Sequence, residues 1–317
     1  MMRTTARSYT SVTDTETARW ALLLAGGDGV RLRSMTRELA GDNRPKQFCR
    51  VIGGETLIEL TWRRALRVVP RTQVMAVVTE HHERFYETLL PAIGIQQVVG
   101  QPHNRGTAPG ILYPLLRLAA LAPDASVAIF PCDHHVSDER RFAAHVDSAF
   151  LAAEADPGRV ILLGIIPDTH EADYGWIEPG APLRVAGGCT TKRVSRFWEK
   201  PDAGFAEALR ERGCLWNSFV MVGRVRAFLA LVRECLPSLY DAFAALGPLT
   251  GSAGESEAVT ALYRWLAPAN FSREVLSARP EALGVISVSG VTWSDLGSPE
   301  RVLRVRKQLE PRVLELA

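Results

Sequence analysis

The sequence is poor in cysteine and carries almost no excess charge. Its five cysteines are scattered over 317 residues with no C-x-x-C pair, which favours free thiols in a reducing cytoplasm over a disulfide framework or a zinc site. Lys and Arg number 37 against 35 acidic residues, a net charge of +2, so no nucleic acid or anionic membrane is predicted as a partner. Long apolar runs that could span a membrane are missing, and residues 1–18 lack the apolar core of a secretory signal.

The composition is that of an ordinary globular protein, 47% hydrophobic and 23% charged, and the length allows a sizeable core. Residues 1–18 are rich in Thr and Ser, and we expect a disordered tail there. One domain is predicted over residues 19–310, with a first half over about 19–158, a second half over about 159–300 and a C-terminal tail at 311–317.

Strand-like and helix-like segments alternate along this domain. Short apolar segments lie at 20–25, 48–52, 74–78, 95–99, 127–130 and 160–166, and helical spacing at 55–68, 81–90, 107–121 and 139–153. Two or three amphipathic helices follow in 224–266, and another helix in 299–309. This alternation predicts an α/β fold with a mostly parallel sheet. Ligands of such sheets bind beyond the carboxyl ends of the strands.

A glycine-rich stretch, Gly26-Gly27-Asp28-Gly29, directly follows the first predicted strand. Glycines there let backbone N–H groups approach phosphate oxygens, and Arg31 and Lys46 add positive charge. The stretch is not a P-loop, because Val-Arg-Leu replaces Gly-Lys-Ser/Thr after the last glycine. It also lacks the third glycine of a dinucleotide fingerprint. A bare tight turn is the structural alternative.

A second chemical signal is Asp133, which follows the predicted strand at 127–130. A carboxylate leaving a buried strand is costly to desolvate unless it meets a cation or hydrogen-bond donors, and Mg²⁺ shared with substrate phosphates prefers such an oxygen. An Asx-turn is the alternative. The neighbouring His134 and His135 do not predict zinc, because adjacent residues of an extended chain point to opposite sides.

The motif G-G-x-G-x-R-L, followed by P-K-Q-F at 45–48, resembles the signature of the sugar-1-phosphate nucleotidyltransferases. Within that family the chain is most similar to the mannose-1-phosphate guanylyltransferases. Six motifs in the family's order cover residues 19–305, and they imply a single Rossmann-like nucleotidyltransferase domain with a mixed, mostly parallel sheet flanked by helices.

The resemblance assigns expected roles to residues. It implies that the catalytic residues are Arg31, Lys46 and Asp133, and that Mg²⁺ is the cofactor, held by Asp133 and Asp295. It implies a nucleotide site at Gly26, Gly27, Gly29, Arg105, Thr107 and Pro109. It implies a sugar-phosphate site at Gly175, Glu199, Lys200 and Asn217.

Structural alternatives remain for several of these residues. Thr107 and Asp295 are also plausible helix caps, Gly175 a strand bulge, and Lys200 a solvated turn residue. Tyr174 and Trp176 are predicted to be packing residues.

The implied reaction joins a nucleoside triphosphate, GTP, to a sugar-1-phosphate, mannose-1-phosphate, giving GDP-mannose and pyrophosphate. The expected partners are these small molecules, and a homodimer is left open. The chain departs from the family at Ser34-Met35, at residues 272–279, where Arg279 replaces an acid, and at 298–299, where Pro299 replaces a tryptophan. Uridylyl or cytidylyl transfer to another sugar is therefore an alternative. A non-catalytic, regulatory nucleotide-sugar-binding relative is another. A glycosyltransferase is disfavoured because Asp133-His134-His135 breaks the Asp-x-Asp pattern.

Overall fold

The structure is a computed structural model that describes residues 18–314, with side chains described as far as residue 309. The predicted tail at 1–18 therefore lies outside the described residues, apart from Ala18. In the described part, no helix is long and apolar enough to cross a membrane.

Eleven strands are described. They are β1 Arg19–Leu24, β2 Val74–Thr79, β3 Gln97–Gln101, β4 Ser126–Pro131, β5 His135–Val136, β6 Val160–Ile165, β7 Gly175–Ala186, β8 Cys189–Glu199, β9 Leu215–Arg224, β10 Leu283–Val288 and β11 Trp293–Ser294. Nine of them form one sheet in the order β3-β2-β1-β4-β9-β6-β10-β8-β7, with β7 also pairing with β9, and β11 pairs with β5 in a small second sheet.

The large sheet is mixed but mostly parallel, as predicted. Strands β3, β2, β1 and β4 are parallel. Strand β9 runs antiparallel to both β4 and β6, so β6 points in the same direction as β4. Strand β10 is parallel to β6, β8 is antiparallel to β10, and β7 is antiparallel to β8. Seven of the nine strands therefore point the same way.

Helices cover both faces of the sheet. The α-helices are α1 Arg33–Ala40, α2 Leu57–Ala65, α3 Glu83–Tyr86, α4 Leu89–Ile93, α5 Thr107–Leu121, α6 Glu139–Ala155, α7 Ala203–Glu211, α8 Val225–Cys235, α9 Pro237–Ala244, α10 Glu255–Trp265 and α11 Pro299–Leu314. Side chains of β1 alternate between the two faces, with Ala21 and Leu23 in the core under α2 and α6, and Trp20 and Leu22 in the core under α5 and α8. This period of two is what a strand buried on both faces produces.

A third, smaller apolar cluster joins distant parts of the chain. It combines Leu32 and Val51 from the segment after β1 with Leu296, Val302 and other residues next to or within α11. Burial of this cluster brings the end of the chain against the glycine-rich stretch. The contact positions Asp295 beside residues more than two hundred positions earlier.

Three local predictions are wrong in detail. The apolar segment at 48–52 is not a strand, because a 3-10 turn at Lys46–Phe48 carries the chain away from the sheet. The helix predicted at 81–90 is divided into a 3-10 turn at Glu80–His82, α3 and α4. The last helix extends to Leu314 rather than ending at 309, so it includes part of the predicted tail at 311–317.

Candidate active site

A cleft of about 420 Å³ opens at the carboxyl ends of β1 and β4 and receives residues from both halves of the chain. The sequence-predicted residues that line it are Gly26, Gly27, Thr107, Asp133, Gly175, Glu199, Asn217 and Asp295. The structure thus brings together predicted phosphate, metal and sugar residues that are far apart in sequence. The predicted residues that do not line it are Gly29, Arg31, Lys46, Arg105, Pro109 and Lys200.

The glycine-rich stretch presents its backbone to this cleft. The Gln47 amide donates to the carbonyl oxygens of residues 25 and 27 at 2.8 and 2.7 Å, and the Thr79 hydroxyl donates to that of residue 26 at 2.8 Å. A trans peptide directs its N–H opposite to its C=O. The N–H groups of residues 26 and 28 therefore point away from Gln47, and that of residue 27 points away from Thr79, so these donors are not directed at the two side chains that bind the carbonyl groups and can serve a phosphate.

Two of the glycines lie where a side chain would be crowded or strained. A Cβ on Gly26 would lie 2.8 Å from Gln101 Nε2 and 3.1 Å from Thr79 Oγ1, so the end of Gln101 would have to shift. Gly29 has φ of 60°, and a Cβ there would lie 3.1 Å from the backbone nitrogen of Lys46. Gly29 does not line the cleft, but its left-handed turn brings the Pro45-Lys46 segment against the loop.

Lys46 connects the two sides of the cleft. The residue is 7% exposed, and its Nζ lies 3.3 Å from Asp133 Oδ2 and donates to the carbonyl oxygens of Asp295 and Leu296 at 2.6 and 3.1 Å. Burial alone would raise the pKa of Asp133, but the charges of Lys46 and His134 outweigh it and hold that pKa below its usual value. Asp133 is therefore a carboxylate near neutral pH.

Asp295 is held by a set of donors that sequence reasoning missed. Its Oδ1 accepts from the Gly297 N–H at 2.8 Å, from the Arg301 guanidinium at 3.1 Å and from the Tyr174 hydroxyl at 3.3 Å. Arg301 also donates to Glu171 at 2.7 Å and lies 4.5 Å above the Tyr174 ring. The helix-cap alternative for Asp295 does not hold, since the hydroxyl that accepts from the Arg301 N–H of α11 belongs to Ser298.

Tyr174 is more than the packing residue predicted from the sequence. It lines the cleft, and burial raises the pKa of its phenol, so it stays protonated and donates to Asp295. Its ring packs edge-on against Trp216 and Trp293 at 5.0 Å. Trp176 is fully buried, as a packing residue should be.

Arg31 lies at the rim of the cleft. Its side chain is 59% exposed, and its guanidinium is 3.9 Å from one carboxylate oxygen each of Asp173 and Asp295. These contacts are long and solvated, so the guanidinium is held only weakly in this position. The charge is mobile enough to move onto a bound phosphate.

Of Arg105, Thr107 and Pro109, which are predicted to contact the nucleotide, only Thr107 lines the cleft. Thr107 lines the cleft and is the first residue of α5. The N-cap is Gly106, so the capping alternative for Thr107 is wrong. Its hydroxyl accepts from the Phe271 N–H at 2.8 Å. Arg105 donates to the Tyr263 carbonyl at 3.1 Å, and Pro109 is buried in the first turn of α5.

The residues predicted to bind the sugar phosphate are tightly packed around Gly175. A Cβ there would lie 3.1 Å from Glu199 Oε2 and 3.3 Å from Asn217 Cβ. The register shifts of β7 begin only between Glu178 and Pro179, so a bulge does not explain this glycine. Burial raises the pKa of Glu199, although Lys200 opposes the shift. Lys200 itself is exposed, with φ of 51°.

The two predicted metal ligands fit a hard divalent cation. Asp133 and Asp295 come from opposite sides of one cleft, and Asp133 is held ionised. Mg²⁺ is usually bound by one or two carboxylates together with water and substrate phosphates. Asp295 Oδ1 accepts three hydrogen bonds, whereas Oδ2 accepts a single longer one from Arg301 at 3.3 Å, so Oδ2 is the oxygen better placed for a cation.

Most of the departures from the family pattern lie away from the cleft lining. Arg279 pairs with Glu234 and Glu281, and Ser34, Met35 and Pro299 do not line the cleft. None of these four positions borders the cleft. Within 272–279, only Ser272 lines the cleft.

Sequence reasoning did not assign several other lining residues. They are Gln101, Asn104, His134, Asp173, Phe219, Asn270, Ser272 and Trp293. Most lie within a few residues of a predicted motif, so their position near the end of a strand could have identified them as cleft residues. Arg301 had no such signal, because its role depends on how α11 packs.

Residues 20–312 match the model of the nucleotidyl transferase family, and the chain belongs to this family. It is 32% identical over 224 residues to the xanthan biosynthesis protein XanB of Xanthomonas campestris pv. campestris, covering 70% of this chain and 45% of that protein. It is 30% identical over 226 residues to a mannose-1-phosphate guanylyltransferase of Klebsiella pneumoniae, covering 70% and 46%. The chain thus matches less than half the length of these relatives.

Solved structures give the same fold. A structure described as mannose-1-phosphate geranyltransferase from Thermus thermophilus superposes with a TM-score of 0.77 at 26% identity, covering 91% of this chain and 79% of that one. The inositol-1-phosphate CTP transferase of T. maritima shares the fold with a TM-score of 0.56 at 15% identity, covering 93% of this chain and 97% of that one.

Proposed function

We propose that this chain transfers a nucleotidyl group from a nucleoside triphosphate to a sugar-1-phosphate, with GTP and mannose-1-phosphate as substrates and GDP-mannose and pyrophosphate as products. The observation that carries the proposal is the bridge made by Lys46 between Asp133 and the turn at Asp295, beside the backbone N–H groups of residues 26–28. Positive charge, two carboxylates and amide donors converge there, as phosphoryl transfer requires.

In this reaction an oxygen of the sugar phosphate attacks the α-phosphorus of the triphosphate. The bond from that phosphorus to the oxygen shared with the β-phosphate breaks, and pyrophosphate leaves with the electron pair. No covalent intermediate with the protein is needed. The chain contributes by positioning the two phosphates and by neutralising the charge that develops between them.

The first half of the domain would hold the triphosphate through the N–H groups of residues 26–28, with Arg31 closing over it from the rim. The three protons of the Lys46 ammonium all have acceptors nearby, so we expect it to exchange one of them for an α-phosphate oxygen. Asp133 and Asp295 would hold Mg²⁺, which supplies charge neutralisation for the phosphates when bound.

The second half of the domain would recognise the hydroxyl groups of the sugar. Asn217 offers both a donor and an acceptor, and Glu199 offers acceptors. Both line the cleft next to Gly175. Lys200 lies outside the lining and would have to turn inward to reach the sugar's phosphate.

The choice of GTP and mannose-1-phosphate is supported by the names of the relatives. The same comparison supports a role in supplying a precursor for polysaccharide synthesis, since one relative is named for xanthan biosynthesis. Uridylyl or cytidylyl transfer would use the same chemistry.

A pyrophosphate-release assay with Mg²⁺ tests the proposal. Four nucleoside triphosphates are crossed with the 1-phosphates of mannose, glucose, N-acetylglucosamine and fucose, and we expect release with GTP and mannose-1-phosphate. Asp133→Asn should abolish it, while Asp241→Asn, an exposed aspartate on α9, should not. Release with a different pair would keep the reaction and reject the substrates. No release with any pair, despite nucleotide binding, would reject the enzyme in favour of a regulatory binding protein.

A further inference from the structure

A cluster of potential metal ligands lies beside the glycine-rich stretch, separate from Asp133 and Asp295. Asp28 Oδ1 is 3.1 Å from His81 Nε2 and 3.4 Å from His82 Nε2. One ligand atom from each of these three residues lies within 4.8 Å of those of the other two. Ligands at about 2.0 Å from a tetrahedral Zn²⁺ are separated by about 3.3 Å. The three groups therefore already have nearly the spacing of a metal site.

The fold explains how two adjacent histidines reach one carboxylate. Strands β1 and β2 are neighbours and parallel, so Asp28 after β1 and the histidines after β2 leave the same edge of the sheet. The 3-10 turn at Glu80–His82 turns both imidazoles to one side, and their ring centroids are 3.9 Å apart. An extended chain would have separated them.

The surroundings of the cluster favour a bound cation over a simple hydrogen-bonded group. His82 is 5% exposed, and its Nε2 lies 3.4 Å from Asp28 Oδ1, longer than a normal hydrogen bond but close to the separation of two ligands on one metal ion. Asn104 donates to Asp28 Oδ2 at 3.0 Å. This contact orients the carboxylate and leaves Oδ1 facing the histidines, as outer contacts do in metal sites.

The charge state of His82 agrees with this geometry. Burial, with a smaller contribution from His81, lowers the pKa of His82 to about 4. The ring is therefore neutral near pH 7, and neutral imidazole is the form that binds metals.

We propose that Asp28, His81 and His82 form a binding site for a divalent transition metal such as Zn²⁺, with three protein ligands and one open position. Imidazole nitrogens select such a metal over Mg²⁺, which prefers oxygen ligands. The site links the glycine-rich stretch to the turn after β2. A metal there would also neutralise a carboxylate that lies within the stretch; any benefit to triphosphate binding rests on the proposed function.

Metal binding itself is the test, and it needs neither nucleotide nor activity. The full chain, stripped with a chelator, is titrated with Co²⁺ in the presence of excess Mg²⁺ to occupy oxygen-only sites, and visible absorption is followed. We expect one equivalent to bind with the intense bands of four-coordinate Co²⁺, and Zn²⁺ to displace it. His81 is exposed, so His81→Ala should keep the fold while weakening binding at least about tenfold.

Asp28→Asn should weaken binding similarly, and His170→Ala, an exposed histidine in the other half, should leave it unchanged. Equal Co²⁺ affinity in His81→Ala and the parent chain would overturn the proposal, as would the absence of a four-coordinate spectrum. Because the readout is absorption of the nucleotide-free chain, a failure of the proposed transferase activity would not affect it.

Discussion

The two halves of the cleft are built by different means. The first half contributes glycine backbone at Gly26, Gly27 and Gly106 as well as side chains, in loops that follow parallel strands. It places glycine where φ is positive, at Gly29 and Gly106. The second half presents side chains from β7, β8 and β9. Its positive-φ residues next to the cleft are not glycines: Lys200 has φ of 51°, Phe219 of 59° and Leu296 of 47°.

The difference shows where backbone strain is tolerated. A non-glycine residue in the left-handed region costs about 1–2 kcal/mol, and such residues persist where surrounding packing holds them. Phe219 lines the cleft, Lys200 follows Glu199, and Leu296 follows Asp295. The second half therefore stores strain next to the residues proposed to bind the sugar and the metal, whereas the first half avoids it with glycine.

Removing the residue that joins the halves should have the largest effect. Lys46→Met deletes the ammonium between Asp133 and the turn at Asp295 and should lower the rate of pyrophosphate release at least about a hundredfold, as for other single electrostatic donors. Lys307→Met, an exposed lysine of α11, serves as the control. A loss below about tenfold would remove Lys46 from the catalytic residues.

Arg301 tests whether the second half depends on its supporting contacts. Arg301→Met removes one of the three donors to Asp295 Oδ1 and should reduce activity by about 10–100-fold, with more Mg²⁺ needed for half-maximal rate, as for outer residues of metal sites. Arg304 lies about one turn further along α11 and makes only a long contact, 3.8 Å, with Glu171. Arg304→Met should therefore change neither the activity nor the Mg²⁺ requirement. An unchanged Mg²⁺ requirement in Arg301→Met would contradict the positioning role.

A methyl group at Gly175 should affect one substrate and spare the other. Gly175→Ala places a Cβ against Glu199 and Asn217 and should raise the KM for the sugar phosphate about tenfold, a loss of about 1.4 kcal/mol. The KM for the nucleotide should stay nearly constant, because its expected site lies across the cleft. Gly158→Ala, where a Cβ meets nothing within 4 Å, is the control. Equal changes in both KM values would mean that the halves are not separate binding sites.

The smallest expected effect concerns strain itself. Lys200 is exposed, so its truncation should cost little packing. Alanine would keep the left-handed strain that glycine relieves. The free energy of unfolding of Lys200→Gly should therefore be about 1 kcal/mol larger than that of Lys200→Ala. Denaturant titration of the two variants measures this difference. If alanine were as stable as glycine, the backbone at this position would be unstrained.

The same contrast explains what the sequence could predict. The strands at 74–78, 95–99, 127–130 and 160–166 and the helix at 107–121 can be predicted because the apolar pattern of each lies within its own short segment. Gly26, Gly27 and Asp133 could be found because they directly follow strands. The support of Asp295 by Tyr174 and Arg301 could not be found, since it depends on the packing of α11 against a distant turn of the chain. The cluster of Asp28 with the two histidines also needed the parallel pairing of β1 with β2.

The most direct test of the two-sided cleft is a crystal structure of the chain with GDP-mannose and Mg²⁺. We predict that the diphosphate lies beside the N–H groups of residues 26–28 and Lys46, with the sugar against Glu199 and Asn217 and the base toward Gln101 and Thr107. A nucleotide sugar bound with its base against Glu199, or bound outside the cleft, would contradict the assignment of the two halves.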